Sequence, residues 1–416
     1  MKDVRSYCLV TAAYWAFTLT DGALRMLVLL HFHRLGYDPI RIASLFLFYE
    51  FFGIVTNLLG GWIGSRLGLN FTLWSGLGLQ IFALGMLALL SPDWTEAFST
   101  AYVMTAQALS GIAKDLTKMS SKGAIKLLVP EDASGLLFKW VSLLTGSKNA
   151  LKGVGFFLGG VLLSLLGFVP ALLTMAGALA VILVATMMVL SWGIGKAKAK
   201  VKFTHIFSKS LEINVLSVAR FFLFGARDVW FVVGLPVFLQ GTLGWGFTEV
   251  GTFFALWVIA YGIVQSVAPD LLRRRWKGQA PQGRALLEWA IILALLTAAM
   301  AIGLQVGLSP SFVIIDGLAG FAVVFAINSA VHSYLILAYT AGDKVALNVG
   351  FYYMANAGGR LAGTVLSGLL FQLYGLVGCL WAAVIFALTA GLFAWGLPCR
   401  HESKLVPVGA AVGGDG

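Results

Sequence analysis

The chain has 416 residues, 59% of them hydrophobic and only 11% charged, with a mean hydropathy of +0.89. A soluble domain carries about a quarter charged residues, so this balance argues against a soluble enzyme and indicates a polytopic membrane protein. The net charge of +11 sits in short loops between apolar runs, which is a topology signal rather than a nucleic-acid surface; no nucleic-acid partner is expected.

Apolar runs of about 20 residues, the length that crosses the hydrocarbon core, fall at 7–30, 42–62, 71–90, 98–117, 140–166, 170–191, 211–239, 247–268, 285–306, 310–335, 347–374 and 375–397. No short apolar segment with a small-residue cleavage site precedes the first run, which therefore reads as a retained helix. The predicted fold class is an all-α polytopic membrane protein with twelve transmembrane helices. The even-numbered connections hold "SRLGLN", "KMSSKGAIK", "KAKAKVKFTHIFSKS", "RRRWKGQAPQGR" and "GDK", whereas the odd-numbered ones are nearly free of Lys and Arg apart from Arg34 and Arg41. The even loops and both termini are thus expected to be cytoplasmic.

The two halves repeat. "GIVTN" at 53–57 matches "GIVQS" at 262–266, and "NALKGVG" at 149–155 matches "NAGGRLAG" at 356–363, both at an offset near half the chain. Duplication predicts two pseudo-repeated six-helix bundles, 1–192 and 211–397, joined by a basic cytoplasmic linker at 193–210 and followed by a tail at 398–416. The tail's "VPVGAAVGGDG" predicts disorder. "GVGFFLGG" at 153–160 is expected to allow close helix packing, with a role where the halves rock as the alternative.

An ion in hydrocarbon costs several kcal/mol, so charges within spans face a bundle interior or a wet cavity. Span 1 carries Asp21 and Arg25, span 2 Glu50, and span 4 Lys114, Asp115 and Lys118. Span 5 carries Lys148 and Lys152, span 7 Arg220, Arg227 and Asp228, and span 11 Arg360. Asn149, Asn328, Asn356 and His332 add polar groups to spans 5, 10 and 11. Spans 3, 6 and 12 carry no charge, and span 9 only at its mouth. These four are expected to face lipid, with the other eight around a polar path.

Lys148 and Lys152, four apart, share a helix face, as do Arg220 and Arg227, seven apart. Asp21 and Arg25 also lie four apart and are placed to pair. Arg227 and Asp228 are adjacent and point about 100° apart, so each is expected to need another partner. Glu50, Asp115 and Lys118 read as structural charges that join helices. Asp21, Glu50, Asp228 and His332 are candidates for proton coupling or charge pairing. Cations exceed carboxylates in this buried set, and a buried positive surplus calls for an anion, which Arg can grip bidentately. Arg25, Lys148, Lys152, Arg220, Arg227 and Arg360 are therefore the candidate anion-binding residues, with Asn149, Asn328 and Asn356 lining the cavity.

Twelve spans in two halves, with "GGWIGSRLGLN" between spans 2 and 3, resemble the major facilitator superfamily. Gly61, Arg66 and Gly68 match its loop motif, while Ser65 stands for the usual Asp and Leu69 and Asn70 for basic residues. The resemblance implies a midplane site between the halves and alternating access. "YWAFTLTDGALRMLVLLHFH", "LFLFYEFFGIVTNLLGGW", "ALSGIAKDLTKMS", "LLTGSKNALKGVGFFLGG" and "RFFLFGARDVWFVVGLPV" further resemble the organoarsenical efflux permeases of bacterial arsenic-resistance operons. Membership in that family implies export of 1-arseno-3-phosphoglycerate across the bacterial plasma (inner) membrane. Glyceraldehyde-3-phosphate dehydrogenase then supplies the substrate as a functional partner, with no physical contact implied. The family implies no residue roles. Two cation groups, Lys148, Lys152 and Arg25 in one half and Arg227, Arg220 and Arg360 in the other, suit its two oxyanion heads. Export of an anion of about −3 from a cell negative inside is downhill, at about 2.3 kcal/mol per charge per 100 mV.

A general organophosphate or organic-anion carrier would use the same surplus and is the alternative. A drug exporter fits less well, because such pockets are mostly apolar. Arsenite would call for thiols, and Cys8, Cys379 and Cys399 lie far apart, which also argues against disulfides and metal. An integral-membrane enzyme lacks a motif: His31 and His33 of "HFH" do not share a helix face, and no H-E-x-x-H, G-x-S-x-G or P-loop occurs in usable context. No cofactor is expected, and a monomer is.

Overall fold

The computed structural model describes residues 4–37, 39–129, 134–190, 210–272, 281–340 and 345–397. The predicted linker up to residue 209, the "GDK" loop, most of "RRRWKGQAPQGR" and the tail 398–416 lie outside the described residues. The elements are α1 (Val4–Arg34), α2 (Pro39–Ser44), α3 (Leu47–Leu67), α4 (Leu69–Ala88), α5 (Glu96–Leu128), α6 (Ser134–Leu166), α7 (Phe168–Val189), α8 (Leu211–Phe231), α9 (Gly234–Gly241), α10 (Phe247–Leu272), α11 (Gly283–Gln305), α12 (Pro310–Ala338) and α13 (Val345–Trp395).

Eight of these segments, with α8 and α9 taken as one, are long and apolar enough to cross a membrane by length and composition. The other long helices, α1, α3 and α5, carry many of the predicted interior charges. α13 is two spans, because Gly375 breaks it with φ 64° and ψ −164°, where a residue with a Cβ would be strained. The break falls at the boundary expected between spans 11 and 12, which completes twelve. Gly167, φ 83°, makes the same one-residue joint between α6 and α7. It lies 208 residues before Gly375, a further pair at the offset of the sequence repeats.

Two expectations need correction. "KMSSKGAIK" is no loop: α5 runs on to Leu128, and its Lys and Ala residues are good helix formers. Span 7 is not one helix either. α8 stops at Phe231, and α9 restarts at Gly234, where Pro236 cannot donate to the Val232 carbonyl. The Gly234 amide instead donates to Ser367 Oγ at 3.1 Å.

Local capping fixes the long helices. Thr95 accepts a bond from the Phe98 amide at 3.4 Å and opens α5 ahead of Glu96, as an N-cap with an acid in the first turn should. Pro310 opens α12, where its missing N–H costs nothing.

Glycines then set the helix crossings within each half. A Cβ on Gly155 of α6 would lie 2.5 Å from the Leu19 carbonyl oxygen of α1, and one on Gly363 of α13 would lie 2.9 Å from the Gly225 carbonyl oxygen of α8. The same close crossing thus recurs in both halves, in the manner of small-residue packing in lipid. The expected packing role of "GVGFFLGG" holds for Gly155, and Gly153 faces Ala255 and Ile259 of α10 in the other half.

Each half has its own apolar core. One centres on Phe17, Leu73 and Trp74, the other on Trp230, Phe321 and Phe325. A third cluster joins the halves at the end that bears the start of α1 and the end of α13, through Tyr14, Phe138, Leu144, Leu216 and Tyr334. Between halves the main helix contacts are α6 on α10 and α3 on α13. Of the helices expected to face lipid, α4 packs mainly on α5 and α7, and α11 on α12 and α13. α7 exposes Leu173, Val181 and Met188. These charge-poor helices form the periphery.

Candidate functional site

The expected charges converge between the halves in two layers. The outer layer is an ion-pair bridge. Glu50 Oε1 of α3 accepts from Arg25 of α1 at 3.0 Å and from Arg360 of α13 at 2.6 Å. The Arg360 guanidinium turns its Nε to Asp228 Oδ2 of α8 at 3.2 Å, and Asp228 Oδ1 accepts from Arg227 at 2.5 Å. One carboxylate therefore holds cations from both halves. Removing one partner from such a buried array costs about 3–5 kcal/mol, because the others are left uncompensated.

Beside the bridge, Asp21 accepts from the Tyr49 hydroxyl at 2.6 Å and faces Lys152 Nζ at 3.5 Å. Lys118 pairs with Asp115 at 2.5 Å, one turn back on α5, and Lys114 lies 3.9 Å from the same carboxylate. Aromatic rings line these cations: Arg25 and Lys114 flank Tyr49 at 4.5 and 3.8 Å from its centroid. Arg227 faces Phe224 at 4.9 Å and Phe325 at 5.4 Å. A ring face stabilises a cation by about 0.5–2 kcal/mol without neutralising it, so positive charge remains available to a ligand.

The inner layer lies toward the apolar cluster that joins the halves. Arg220 is 3% exposed and sits between the rings of Phe224, at 3.9 Å, and Tyr352, at 5.3 Å. Its Nε donates to Asn356 at 2.9 Å and its Nη1 to Ser329 Oγ at 3.2 Å. Asn149 donates to Gln265 at 2.6 Å and Gln265 to Ser329 at 3.1 Å, linking α6 to α10 and α12. Lys122 of α5, 2% exposed, donates to Thr145 Oγ1 at 3.1 Å and to the Tyr353 hydroxyl of the other half.

Several sequence expectations change here. Asp21 and Arg25 do not pair with each other; they take Lys152 and Glu50 instead. Arg227 and Asp228 do meet, because the long guanidinium arm folds back on its neighbour. Arg25 and Arg360 share one carboxylate, so the two cation groups are not kept apart by half. Glu50 joins helices as expected, whereas Asp115 pairs with Lys118 and Lys114 within α5 itself, against the expectation that it would tie helices together. Asp21, Glu50 and Asp228 are all ion-paired, while His332 Nδ1 and both amide atoms of Asn328 are buried without a hydrogen-bond partner among the described residues. Lys148 makes no ion pair among the described residues, and neither does Arg220.

Lys122 is not among the expected site residues, because the hydropathy pattern places it in a loop. Its spacing carried the signal: Lys114, Lys118 and Lys122 recur every fourth residue and form one stripe of α5. Asp316 is a further charge within span 10, and it is exposed on α12. His31 stacks on Phe168 at 3.8 Å between centroids, and no group of three or more His, Cys, Asp or Glu suited to a metal occurs among the described residues.

Across the described residues, nine interior cations (Arg25, Lys114, Lys118, Lys122, Lys148, Lys152, Arg220, Arg227 and Arg360) face four carboxylates, Asp21, Glu50, Asp115 and Asp228. The arrangement suits binding of a polyanion between the two bundles. The chain is similar in fold to the human organic anion transporter MFSD10 (TETRAN), with a TM-score of 0.74 at 17% identity, covering 95% of this chain and 100% of that one. It is likewise similar to a bacterial homologue of the iron transporter ferroportin in its outward-facing state, with a TM-score of 0.73 at 15% identity over 94% and 99% of the two chains. The proton:xylose symporter XylE aligns with a TM-score of 0.70 at 14% identity over 94% of each. No curated protein matches the chain. The Major Facilitator Superfamily model matches residues 6–335, and the chain belongs to that superfamily.

Proposed function

We propose that this transporter exports a compact organic anion with an oxyanion at each end, 1-arseno-3-phosphoglycerate, and so confers arsenate resistance. The observation that carries the charge class is the surplus of nine interior cations over four carboxylates. An unpaired buried cation is costly, and an anionic cargo offsets that cost when it binds. The resemblance to organoarsenical permeases supplies the arsenical. Glyceraldehyde-3-phosphate dehydrogenase is the enzyme that supplies the cargo, and the transporter works as a monomer in the bacterial plasma membrane with both termini cytoplasmic.

In this reading Arg25, Lys148, Lys152, Arg220, Arg227 and Arg360 bind the anion, with Asn149, Asn328 and Asn356 around it. Asp21, Glu50 and Asp228 serve charge pairing. Binding draws Arg25 and Arg360 off Glu50, which frees the halves to rock. An anion of about −3 leaving down a potential of about 100 mV, negative inside, releases roughly 7 kcal/mol, enough to drive export without a proton.

The second reading, a general organophosphate or organic-anion carrier, draws on the same surplus. Everted membrane vesicles separate the two. They are given radiolabelled arsenate with glyceraldehyde-3-phosphate, NAD and the dehydrogenase, and each component is omitted in turn. Accumulation that needs all four is the expected result. Uptake of arsenate alone, or of labelled phosphoglycerate without the enzyme, would replace the arsenical with the general anion.

A further inference from the structure

Lys122 and Arg220 stand out from the outer layer. They are among the most deeply buried cations in the molecule, 2% and 3% exposed, and neither meets a carboxylate among the described residues. Asp115, two turns from Lys122 on α5, is engaged by Lys118 at 2.5 Å. The two cations lean on adjacent rings: Arg220 on Tyr352 at 5.3 Å and Lys122 on Tyr353 at 4.8 Å, with the ring centroids 5.1 Å apart. They come from opposite halves, Lys122 from α5 and Arg220 from α8.

The surroundings are polar and unsatisfied. The Tyr352 hydroxyl and His332 Nδ1 are buried without a partner among the described residues, and His332 lies one turn beyond Ser329, which accepts from Arg220. Buried polar atoms in native proteins are nearly always bonded, to protein or to something bound there. A lysine ammonium, a guanidinium and a free phenol form a donor set without an opposing negative charge. That is the complement of a tetrahedral oxyanion.

We infer that Lys122, Arg220 and Tyr352 form a cradle for one phosphate- or arsenate-type head, inward of the Glu50–Arg360 bridge and closed off by the apolar cluster of Tyr14, Phe138 and Tyr334. This rests on the reading of the cargo as an oxyanion and adds where one head binds. The second head then falls to the outer cations. Arg220 and Arg227 are seven residues apart on α8, roughly 10 Å along the axis, a separation suited to a short molecule with two charged ends. Because the cradle straddles the halves, a bound head ties Lys122 to Arg220 and takes the place of the Lys122–Tyr353 bond. Binding is thereby coupled to the inter-half contact that must break for the inner end to open.

The test uses the purified full-length chain in lipid nanodiscs, titrated calorimetrically with inorganic phosphate and, separately, with 3-phosphoglycerate. The variants are Lys122→Gln, Arg220→Gln, the charge-keeping Lys122→Arg, and Lys139→Gln on the exposed face of α6. The expected result is phosphate binding to the unmodified chain that weakens at least tenfold in each Gln variant and changes less than threefold in Lys122→Arg and Lys139→Gln. Thermal melting without ligand should be unchanged or raised in the Gln variants, since each loses an uncompensated charge; a purely structural lysine or arginine would lower it. Binding of 3-phosphoglycerate with phosphate binding absent, or equal in the Gln variants, overturns the cradle and leaves the anion reading standing. No binding of either ligand by the unmodified chain overturns the anion reading, and the cradle with it.

Discussion

The outer bridge and the inner cradle hold cations of the same types in opposite circumstances. Arg25, Arg227 and Arg360 are each within 3.2 Å of a carboxylate and keep side-chain exposures of 17–26%. Arg220 and Lys122 are sealed, and their hydrogen bonds go only to neutral oxygens. A paired charge holds two helices together and fixes a geometry. An unpaired one stores a desolvation cost that a ligand can relieve. The bridge thus reads as a latch between halves, and the cradle as the place with the strongest pull on an anion.

Substitutions can sharpen that contrast. The largest effect is expected from Lys122→Gln combined with Arg220→Gln: export in vesicles should fall by at least a hundredfold with membrane abundance unchanged, measured by labelled-cargo uptake and immunoblot. A loss on the same scale is expected of Arg227→Ala, or Lys152→Ala, which should abolish detectable transport while the chain still folds; normal abundance with full export in either would remove that residue from the anion path. Glu50→Gln should act on stability, because it strands Arg25 and leaves Arg360 with Asp228 alone. A loss of about 3 kcal/mol would appear as a clear drop in apparent melting temperature, partly restored by adding Arg25→Gln. A smaller loss, about 1–3 kcal/mol from overpacking, is expected for Gly155→Val, whose Cβ would press on the Leu19 carbonyl of α1. Gly363→Val should cost a similar amount if the α8–α13 crossing repeats the α1–α6 one. Equal melting of the two variants and the unmodified chain would break the comparison between halves.

Much of the architecture was legible in the sequence, because length and hydropathy mark a span and a charge within one must be accommodated. The clean helices α4, α7 and the second part of α13 show this, as does the boundary at Gly375. Partner choice was not legible. Helical spacing suggested Asp21 with Arg25, but Tyr49 and Lys152 come to Asp21 from other helices, and only tertiary packing decides that. The adjacent Arg227 and Asp228 met because a guanidinium reaches around the backbone, which the angle between neighbours conceals. Lys122 was lost for a different reason. Hydropathy falls near the end of α5, and the polar stretch resembles a loop, although the four-residue stripe of lysines continues through it. The arsenical itself rests on resemblance, since no spacing of residues distinguishes arsenate from phosphate.

In the proposed function, the interior surplus of positive charge exists to bind an anion. Titration calorimetry of the purified chain with glycerol, glycerate and 3-phosphoglycerate, at low and high salt, addresses it most directly, because the three share a carbon skeleton and differ chiefly in charge. The expected result is no heat with glycerol, weak binding of glycerate, and binding of 3-phosphoglycerate at least tenfold tighter that weakens as salt rises. Equal affinity for all three, or tighter binding of glycerol, would contradict it.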